Sequence, residues 1–342
     1  MHALIRINRR FSLSRRLTLY WVIFSTLFAG CGQAAPSLTK REDVKAFIDD
    51  MVSDQNFKRA DLKRLFKAVK IKDGILRAIS RPAEAKPWYI YRSYFINEAQ
   101  IEGGVRFWQS NADALIEVEQ EYGVPAEIIV AILGVETRYG GNMGSFRVVD
   151  ALSTLAFEYP KRSEFFLEEL KQFLILCREE SIDPLKPVGS YAGAMGIPQF
   201  MPSSYRNFAK DQDGDGKRDI WKSNRDAIAS VANYFIQHGW VKGGLVTVPA
   251  TVKGNEYQKF LNTGLKPETR LDVIQRSGVQ IPDGLDLAQN AQLLQFENEY
   301  GPSYWIGMEN FYVITRYNHS ALYAMAVYQL SQEIVYRRHH SL

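Results

Sequence analysis

Glu136 is the acid whose surroundings in this sequence point to chemistry. It follows Ile132 by four residues, Ile129 by seven and Ile128 by eight, so a helix over this segment carries its carboxyl on the apolar face. Pro125 can open that helix and Gly140-Gly141 can close it. A carboxyl so placed loses hydration, and in the last turn it also meets the negative end of the helix dipole; both effects favour the protonated form. An acid that is neutral near pH 7 can donate a proton. On these residues alone, the alternative is a structural carboxylate held at the edge of the core by Arg138 or another partner. The run from Ser190 to Pro202 combines small residues that permit close approach with isolated polar side chains that can fix a ligand. Its plain reading is a tight packed loop.

A second cluster suits a cation. Asp211, Asp213, Asp215 and Asp219 occupy positions 1, 3, 5 and 9 of an EF-hand-like loop, with Gly216 at the turn position 6. Position 12 departs from the pattern, since Lys222 replaces the bidentate glutamate, but Asp226 at position 16 can close a longer loop. Carboxylates this close repel one another without a cation, so the spacing predicts a structural Ca²⁺ site, the alternative being a solvated acidic turn. No cofactor for catalysis is expected. The five histidines show no paired metal-ligand spacing. Ser190 lacks the glycine two positions earlier that a nucleophile elbow requires, and no Lys-Ser/Thr follows to make a phosphate loop.

The elements that must position these groups are mostly helical. Thr39 with Glu42 suggests a capping box, and Val44, Phe47, Ile48 and Met51 recur at helix spacing, followed by Leu62, Leu65, Phe66 and Val69. A connector at Arg81-Pro82 to Lys86-Pro87 leads to the aromatic group Trp88, Tyr89, Tyr91 and Tyr94, and a helical pattern runs from Gln100 to Tyr122. After Trp240 the texture becomes strand-like, at Leu245 to Val248, Leu293 to Glu297 and Phe311 to Thr315. The tail returns to helix with Ser320 as its cap.

The chain's 342 residues suffice to bury a large core without disulfides. Its formal charge of +4 comes from the start: five arginines and no acid precede residue 31, and removing them leaves −1. That balance offers no support for nucleic-acid binding. The arginine-rich start, the apolar run Leu17 to Gly30 and the small residues after it read as an export signal, and Cys31 ends a lipobox-like run in which Phe28 stands where leucine is preferred. Lipidation at Cys31 is expected, in place of ordinary cleavage near Ala35. Cys177 would then be the remaining thiol, so no internal disulfide framework is expected.

Gly134-Val135-Glu136-Thr137-Arg138-Tyr139-Gly140, the run from Ser190 to Pro202, Ala232-Asn233-Tyr234-Phe235 and Tyr317-Asn318-His319-Ser320-Ala321-Leu322-Tyr323 resemble, in order, the membrane-bound lytic murein transglycosylase B family. The likeness extends from about Trp88 to Tyr328, and the leader and first two helices match loosely. It implies a mainly α (α+β) fold with a lysozyme-like helical core. On that reading residues 1–30 are a signal peptide, 31–110 an N-terminal helical region, and 111–240 the catalytic core with its cation loop. Residues 241–300 are then a small β-containing insertion, and 301–342 complete the core. The implied reaction breaks the β-1,4 linkage from MurNAc to GlcNAc in peptidoglycan without water, leaving a 1,6-anhydro ring, with Glu136 as the single catalytic acid and then base. By the same resemblance Tyr91, Ser190, Gln199, Tyr234, Tyr317, Asn318 and Tyr323 line the glycan cleft, and Lys161 and Arg162 meet lactyl or stem-peptide carboxylates. The implied setting is the bacterial periplasm, anchored to the outer membrane, with peptidoglycan strands and other cell-wall enzymes as partners. The rival readings are a lysozyme-type hydrolase, for which Asp150, Glu158 or Asp183 would be the second carboxylate, and a glycan-binding scaffold in which Glu136 does no chemistry.

Overall fold

A computed structural model describes residues 38–80 and 86–340; the expected export signal, Cys31 and most of the Arg81-to-Pro87 connector lie outside them. Helix α1 (Glu42–Ser53) buries Val44, Phe47, Ile48 and Met51, the spacing expected from the sequence. Its N-cap position is Arg41, with Thr39 in the preceding 3-10 turn, so the anticipated capping box does not form. Helices α2 (Arg59–Ala68) and α3 (Asp73–Ile79) follow, then the short aromatic α4 (Trp88–Ser93). The single pattern from Gln100 to Tyr122 is two helices, α5 (Glu98–Ser110) and α6 (Ala112–Tyr122), because Asn111 leaves helical geometry with φ −127° and ties its side chain back to Phe107 O at 2.8 Å.

Helix α7 (Ala126–Thr137) differs from the expected amphipathic helix. Every residue from Ile128 to Gly134 is buried, Val130 and Ala131 included, so the helix is enclosed on all sides until its last turn. A two-stranded ribbon, β1 (Phe146–Arg147) with β2 (Val188–Gly189), brackets the hairpin of α8 (Val148–Glu158) and α9 (Ser163–Glu179). Helices α10 (Pro202–Phe208) and α11 (Asn224–Gln237) then close over α9, α6 and α7.

The β region forms an antiparallel sheet in the order β4 (Thr269–Arg270), β6 (Asn290–Asn298), β7 (Gly301–Gly307), β3 (Thr247–Val252) and β5 (Val279–Gln280), with α12 (Leu271–Arg276) packed on it. Strand alternation gives it two apolar faces. Ala291 and Leu293 join Leu271, Ile274 and Ile306 in a small separate core, whereas Leu294 and Phe296 turn to the main core, where Phe296 meets Trp88 at 5.4 Å. Leu245 stands outside the sheet and exposed, and the last strand runs past residue 300 to Gly307.

The expected strand at Phe311 to Thr315 is instead helix α13 (Glu309–Tyr317). Phe311, Ile314 and Thr315 recur at helix spacing toward the core, and Asn310 anchors the first turn by accepting from Val241 N at 2.8 Å and donating to Gly244 O at 2.8 Å. These tertiary bonds outweigh the β preference of Val313, Ile314 and Thr315. Ser320 caps α14 (Ala321–His340) as expected, accepting from Tyr323 N at 3.3 Å. Helix α14 packs along α7 and α5. Among the described residues no helix is long and apolar enough to cross a membrane.

Candidate active site

Glu136 sits in the last turn of α7, where the enclosed helix opens to partial exposure. Its Oε1 accepts the hydroxyl of Tyr323, from the first turn of α14, at 2.6 Å. Burial pushes the carboxyl up to about 7, and the Tyr323 hydrogen bond works against that rise. Arg138 does not hold it: among the described residues Glu136 makes no ion pair, and Arg138 is exposed.

The helix end is built by two non-glycine residues rather than by Gly140-Gly141. Arg138 (φ 52°) and Tyr139 (φ 60°) are both left-handed, and their N–H groups return to Gly134 O at 2.9 Å and Leu133 O at 3.0 Å. Tertiary contacts offset that strain. The Tyr139 hydroxyl donates to Gln100 O at 2.8 Å, and its ring lies 5.6 Å from that of Phe107 in a slot walled by Gly103, Gly104 and Gly134. Gln100 is buried and donates through Nε2 to Gly134 O at 3.1 Å, while Thr137 Oγ1 donates to Ile197 O at 2.8 Å and accepts from Gly140 N at 3.0 Å. Sequence reasoning missed Gln100, Thr137 and Tyr139 as supports of the carboxyl. The available signal was the pair Gly103-Gly104 in the middle of a helix, which marks a close approach.

Three of the expected tyrosines gather at Glu136. The phenols of Tyr91, Tyr317 and Tyr323 are all raised, by burial first and then by the Glu136 charge, which places them in its field. Tyr317 donates to Pro198 O at 2.6 Å, and so ties α13 to the Ser190-to-Pro202 loop. Tyr234 takes a supporting position instead: it is 7 % exposed, its hydroxyl donates to Arg316 O at 2.6 Å, and its ring lies 4.8 Å from Tyr317. Gln199, with φ 52°, donates its amide to Met143 O at 3.2 Å and Gly196 O at 3.0 Å, leaving its side-chain oxygen as an acceptor. Ser190 Oγ accepts from Ala194 N at 3.1 Å within its own turn, and Asn318 is exposed just after α13.

Lys161 and Arg162 lie apart from this cluster. They line a recess of about 730 Å³ with Asp43 and Phe165, and none of the residues around Glu136 lines it. Arg162 rests over the Phe165 ring at 4.3 Å. The three candidate second carboxylates are engaged elsewhere: Asp150 pairs with Arg147 at 2.8 Å, Glu158 pairs with Arg41, and Asp183 accepts from Leu185 N at 3.0 Å.

In the acidic loop, carboxylate oxygens of Asp211, Asp213 and Asp226 all lie within 4.8 Å of one another. Two oxygens each about 2.4 Å from one Ca²⁺ are at most about 4.8 Å apart, so this hard-oxygen set fits calcium. Burial raises Asp226, whose oxygens accept from Gln212 N and Asp219 N, each at 2.8 Å. Asp215 and Asp219 do not join the three. Asp215 accepts from Lys217 N at 2.8 Å, and Asp219 accepts from Trp221 N and Lys222 N, each at 3.1 Å.

Residues 39–332 match the family described as Transglycosylase SLT domain. The chain belongs to the SLT transglycosylase family. Within it, the chain is 44% identical over 316 residues to membrane-bound lytic murein transglycosylase B of Escherichia coli (strain K12), covering 90% of this chain and 86% of that one. Soluble lytic transglycosylase SltB1 from Pseudomonas aeruginosa superposes with a TM-score of 0.83 at 50% identity, covering 88% of this chain and 100% of the other. Escherichia coli Slt35, solved in complex with calcium, gives 0.81 at 45% identity, covering 87% and 94%. The mainly α, lysozyme-like fold expected from the sequence is thus the family's own.

Proposed function

We propose that the chain is a lytic transglycosylase of peptidoglycan that breaks the MurNAc to GlcNAc bond and leaves a 1,6-anhydro MurNAc end. The observation that carries this reading is a carboxyl raised to about 7 whose hydrogen-bond partner is a phenol. As the acid, Glu136 protonates the glycosidic oxygen while the C1–O bond breaks. As the carboxylate it then takes the proton of the C6 hydroxyl, whose oxygen closes on C1. Tyr323 stabilises the carboxylate between the two steps, and burial restores the acid afterwards. Hydrolysis by inversion needs a second carboxylate to activate water, and retention commonly uses one as nucleophile. Asp150, Glu158 and Asp183 have other partners, which favours the intramolecular attack.

Tyr91, Tyr317, Ser190, Gln199 and Asn318 are proposed to line the glycan cleft, offering aromatic faces and hydrogen-bonding groups to the sugars. Lys161 and Arg162 are proposed to meet lactyl or stem-peptide carboxylates from their own recess. Asp211, Asp213 and Asp226 would hold a structural Ca²⁺, and the calcium complex of Slt35 supports that assignment. When bound, the ion neutralises the loop acids and takes no part in the proton transfers. A lipid on Cys31 would fix the protein to the outer membrane on its periplasmic side, in keeping with the membrane-bound relative. Mass spectrometry of the mature protein should find acylated Cys31; a free N-terminus near Pro36 rules the anchor out.

The deciding test is digestion of purified sacculi by wild type and by Glu136→Gln. Wild-type products should be lighter than hydrolytic ones by one water, and the variant should lose roughly 100-fold to 10,000-fold in rate. Products with reducing ends favour the lysozyme-type hydrolase. Binding without products favours the scaffold.

A further inference from the structure

The stretch from Lys58 to Ser80 carries eight lysines and arginines against two aspartates, a net +6 in a body whose charge beyond residue 30 is −1, which leaves −7 on the rest. The basic charge is thus concentrated in one place. Helix α2 displays much of it: Leu62 and Phe66 are buried, while Arg59, Lys63 and Lys67, spaced four apart, share an exposed face. Lys58 precedes the helix and Lys70 follows it, both exposed. Arg59 is answered by Asp49, and Arg64 by Asp61 at 3.4 Å. Lys58, Lys63, Lys67 and Lys70 make no ion pair among the described residues. Cations gathered without an internal partner repel one another, and an external anionic surface relieves that repulsion.

The place of this face selects the partner. The 3-10 turn Leu38–Lys40, where the chain coming from Cys31 enters the body, packs against α1 and α2 and adds the exposed Lys40. Leu38 stands seven positions after Cys31, at most about 25 Å of extended chain. A lipid on Cys31 would therefore keep α2 within a few Debye lengths of the bilayer, each about 8 Å at physiological salt, and make the contact intramolecular. Long side chains on a convex helix face suit a diffuse array of headgroup phosphates better than a single enclosed anion.

We propose that the basic face of α2 rests on anionic phospholipid headgroups, giving the body an electrostatic contact with the membrane that fixes which of its sides meets the bilayer. A lysine held near such a surface is worth about fivefold in binding, so the four together make a contact that is firm at low salt and released at high salt. The inference goes beyond the transglycosylase reading, and none of the four lysines belongs to the groups placed around Glu136.

The chain is first produced without acylation by starting it at Gly32, since everything from Ser37 onward forms a compact unit of its own. It is mixed with vesicles of phosphatidylcholine, alone or with an equal part of phosphatidylglycerol, and the bound fraction is read by flotation. Wild type should float with the anionic vesicles only and be released by raised salt. Lys58→Gln/Lys63→Gln/Lys67→Gln/Lys70→Gln should weaken partitioning at least about tenfold, and arginine at the four positions should restore it. Glutamine keeps nearly the helix propensity of lysine, so the fold and the rate on soluble glycan strands should match wild type. Lys186→Gln/Lys217→Gln/Lys242→Gln/Lys253→Gln removes the same charge from exposed positions elsewhere and should bind as wild type does. No capture by anionic vesicles, or equal loss in both variants, overturns the proposal. Lysine-dependent sedimentation with purified sacculi and none with vesicles would assign the face to murein and overturn it as well. In the acylated protein reconstituted into the same two kinds of vesicle, an amine-reactive reagent should label Lys63 and Lys67 severalfold more slowly on the anionic membrane, with Lys253 unchanged; equal rates at all three overturn the proposal. If Cys31 proves unacylated, or wild type releases no anhydro products, those readings fail and flotation still decides this one.

Discussion

Tyr323 donates its hydroxyl to Oε1 of Glu136 at 2.6 Å across 187 positions of sequence. Burial raises the carboxyl to about 7 and the phenol restrains that rise, so the acid stays close enough to neutrality to give up its proton and take one back. Tyr323→Phe removes the restraint. Ionisation of Glu136 should move further up, and the alkaline limb of the kcat profile, set by loss of the protonated acid, should move up with it. Near pH 7 the rate should fall about tenfold, the value of a hydrogen bond to a charged group. A profile of kcat against pH checks both, and an alkaline limb that moves down would contradict the assignment.

The same carboxyl makes folding stability depend on pH. Its folded value of about 7 lies above the ordinary carboxyl value of 4.5, so between those values the folded state holds a proton that the unfolded chain has lost. Stability contributed by this group is therefore full below about pH 4.5 and falls as pH rises through 7, by about 3 kcal/mol in all. Glu136→Gln cannot ionise and escapes the loss. In urea titrations the variant should match wild type near pH 4 and exceed it at pH 8. Parallel curves for the two proteins at both pH values would show that the carboxyl is not buried enough to shift.

Glu136 was legible because one acid interrupts an apolar run, and the cation loop because its acids keep a fixed spacing around Gly216. What supports Glu136 was not legible. Arg138 and Tyr139 carry no local signal for a left-handed backbone; the contacts of Tyr139 with Gly103, Gly104 and Gly134 hold it there. Likewise Val313-Ile314-Thr315 favours a strand locally, and Asn310 overrides it through bonds to Val241 and Gly244 that no window along the chain contains. In the acidic loop, spacing marked five aspartates alike, whereas the fold brings together carboxylate oxygens of Asp211, Asp213 and Asp226, and position along the chain does not tell these three from Asp215 and Asp219.

Those three acids make a calcium prediction. If the ion binds the folded state alone, calcium at 100 times its dissociation constant should add about 2.7 kcal/mol, and excess chelator should remove it. Asp213→Asn leaves the turn able to form but takes one charge from the group, so its melting temperature should respond less to calcium. A wild-type melting temperature indifferent to both calcium and chelator rules the site out.

Gly134 tests how tightly the helix end is held. A Cβ there would lie 2.5 Å from the Tyr139 hydroxyl oxygen and 2.7 Å from its Cζ. The ring packs beside Phe107 and so close to Gly103 that a Cβ there would lie 2.7 Å from it. Gly134→Ala should gain up to about 1 kcal/mol of helix propensity. Overpacking at such a contact costs about 1–3 kcal/mol, and displacement of Tyr139 also breaks its bond to Gln100 O, so the balance is a loss of about 2 kcal/mol. Because Glu136 stands in the same turn, the displacement should also misalign the acid and lower kcat, with little change in KM. Denaturant midpoints and steady-state kinetics on one preparation measure both effects. A Gly134→Ala enzyme with wild-type stability and kcat would show that the Tyr139 slot yields freely and does not set the position of Glu136.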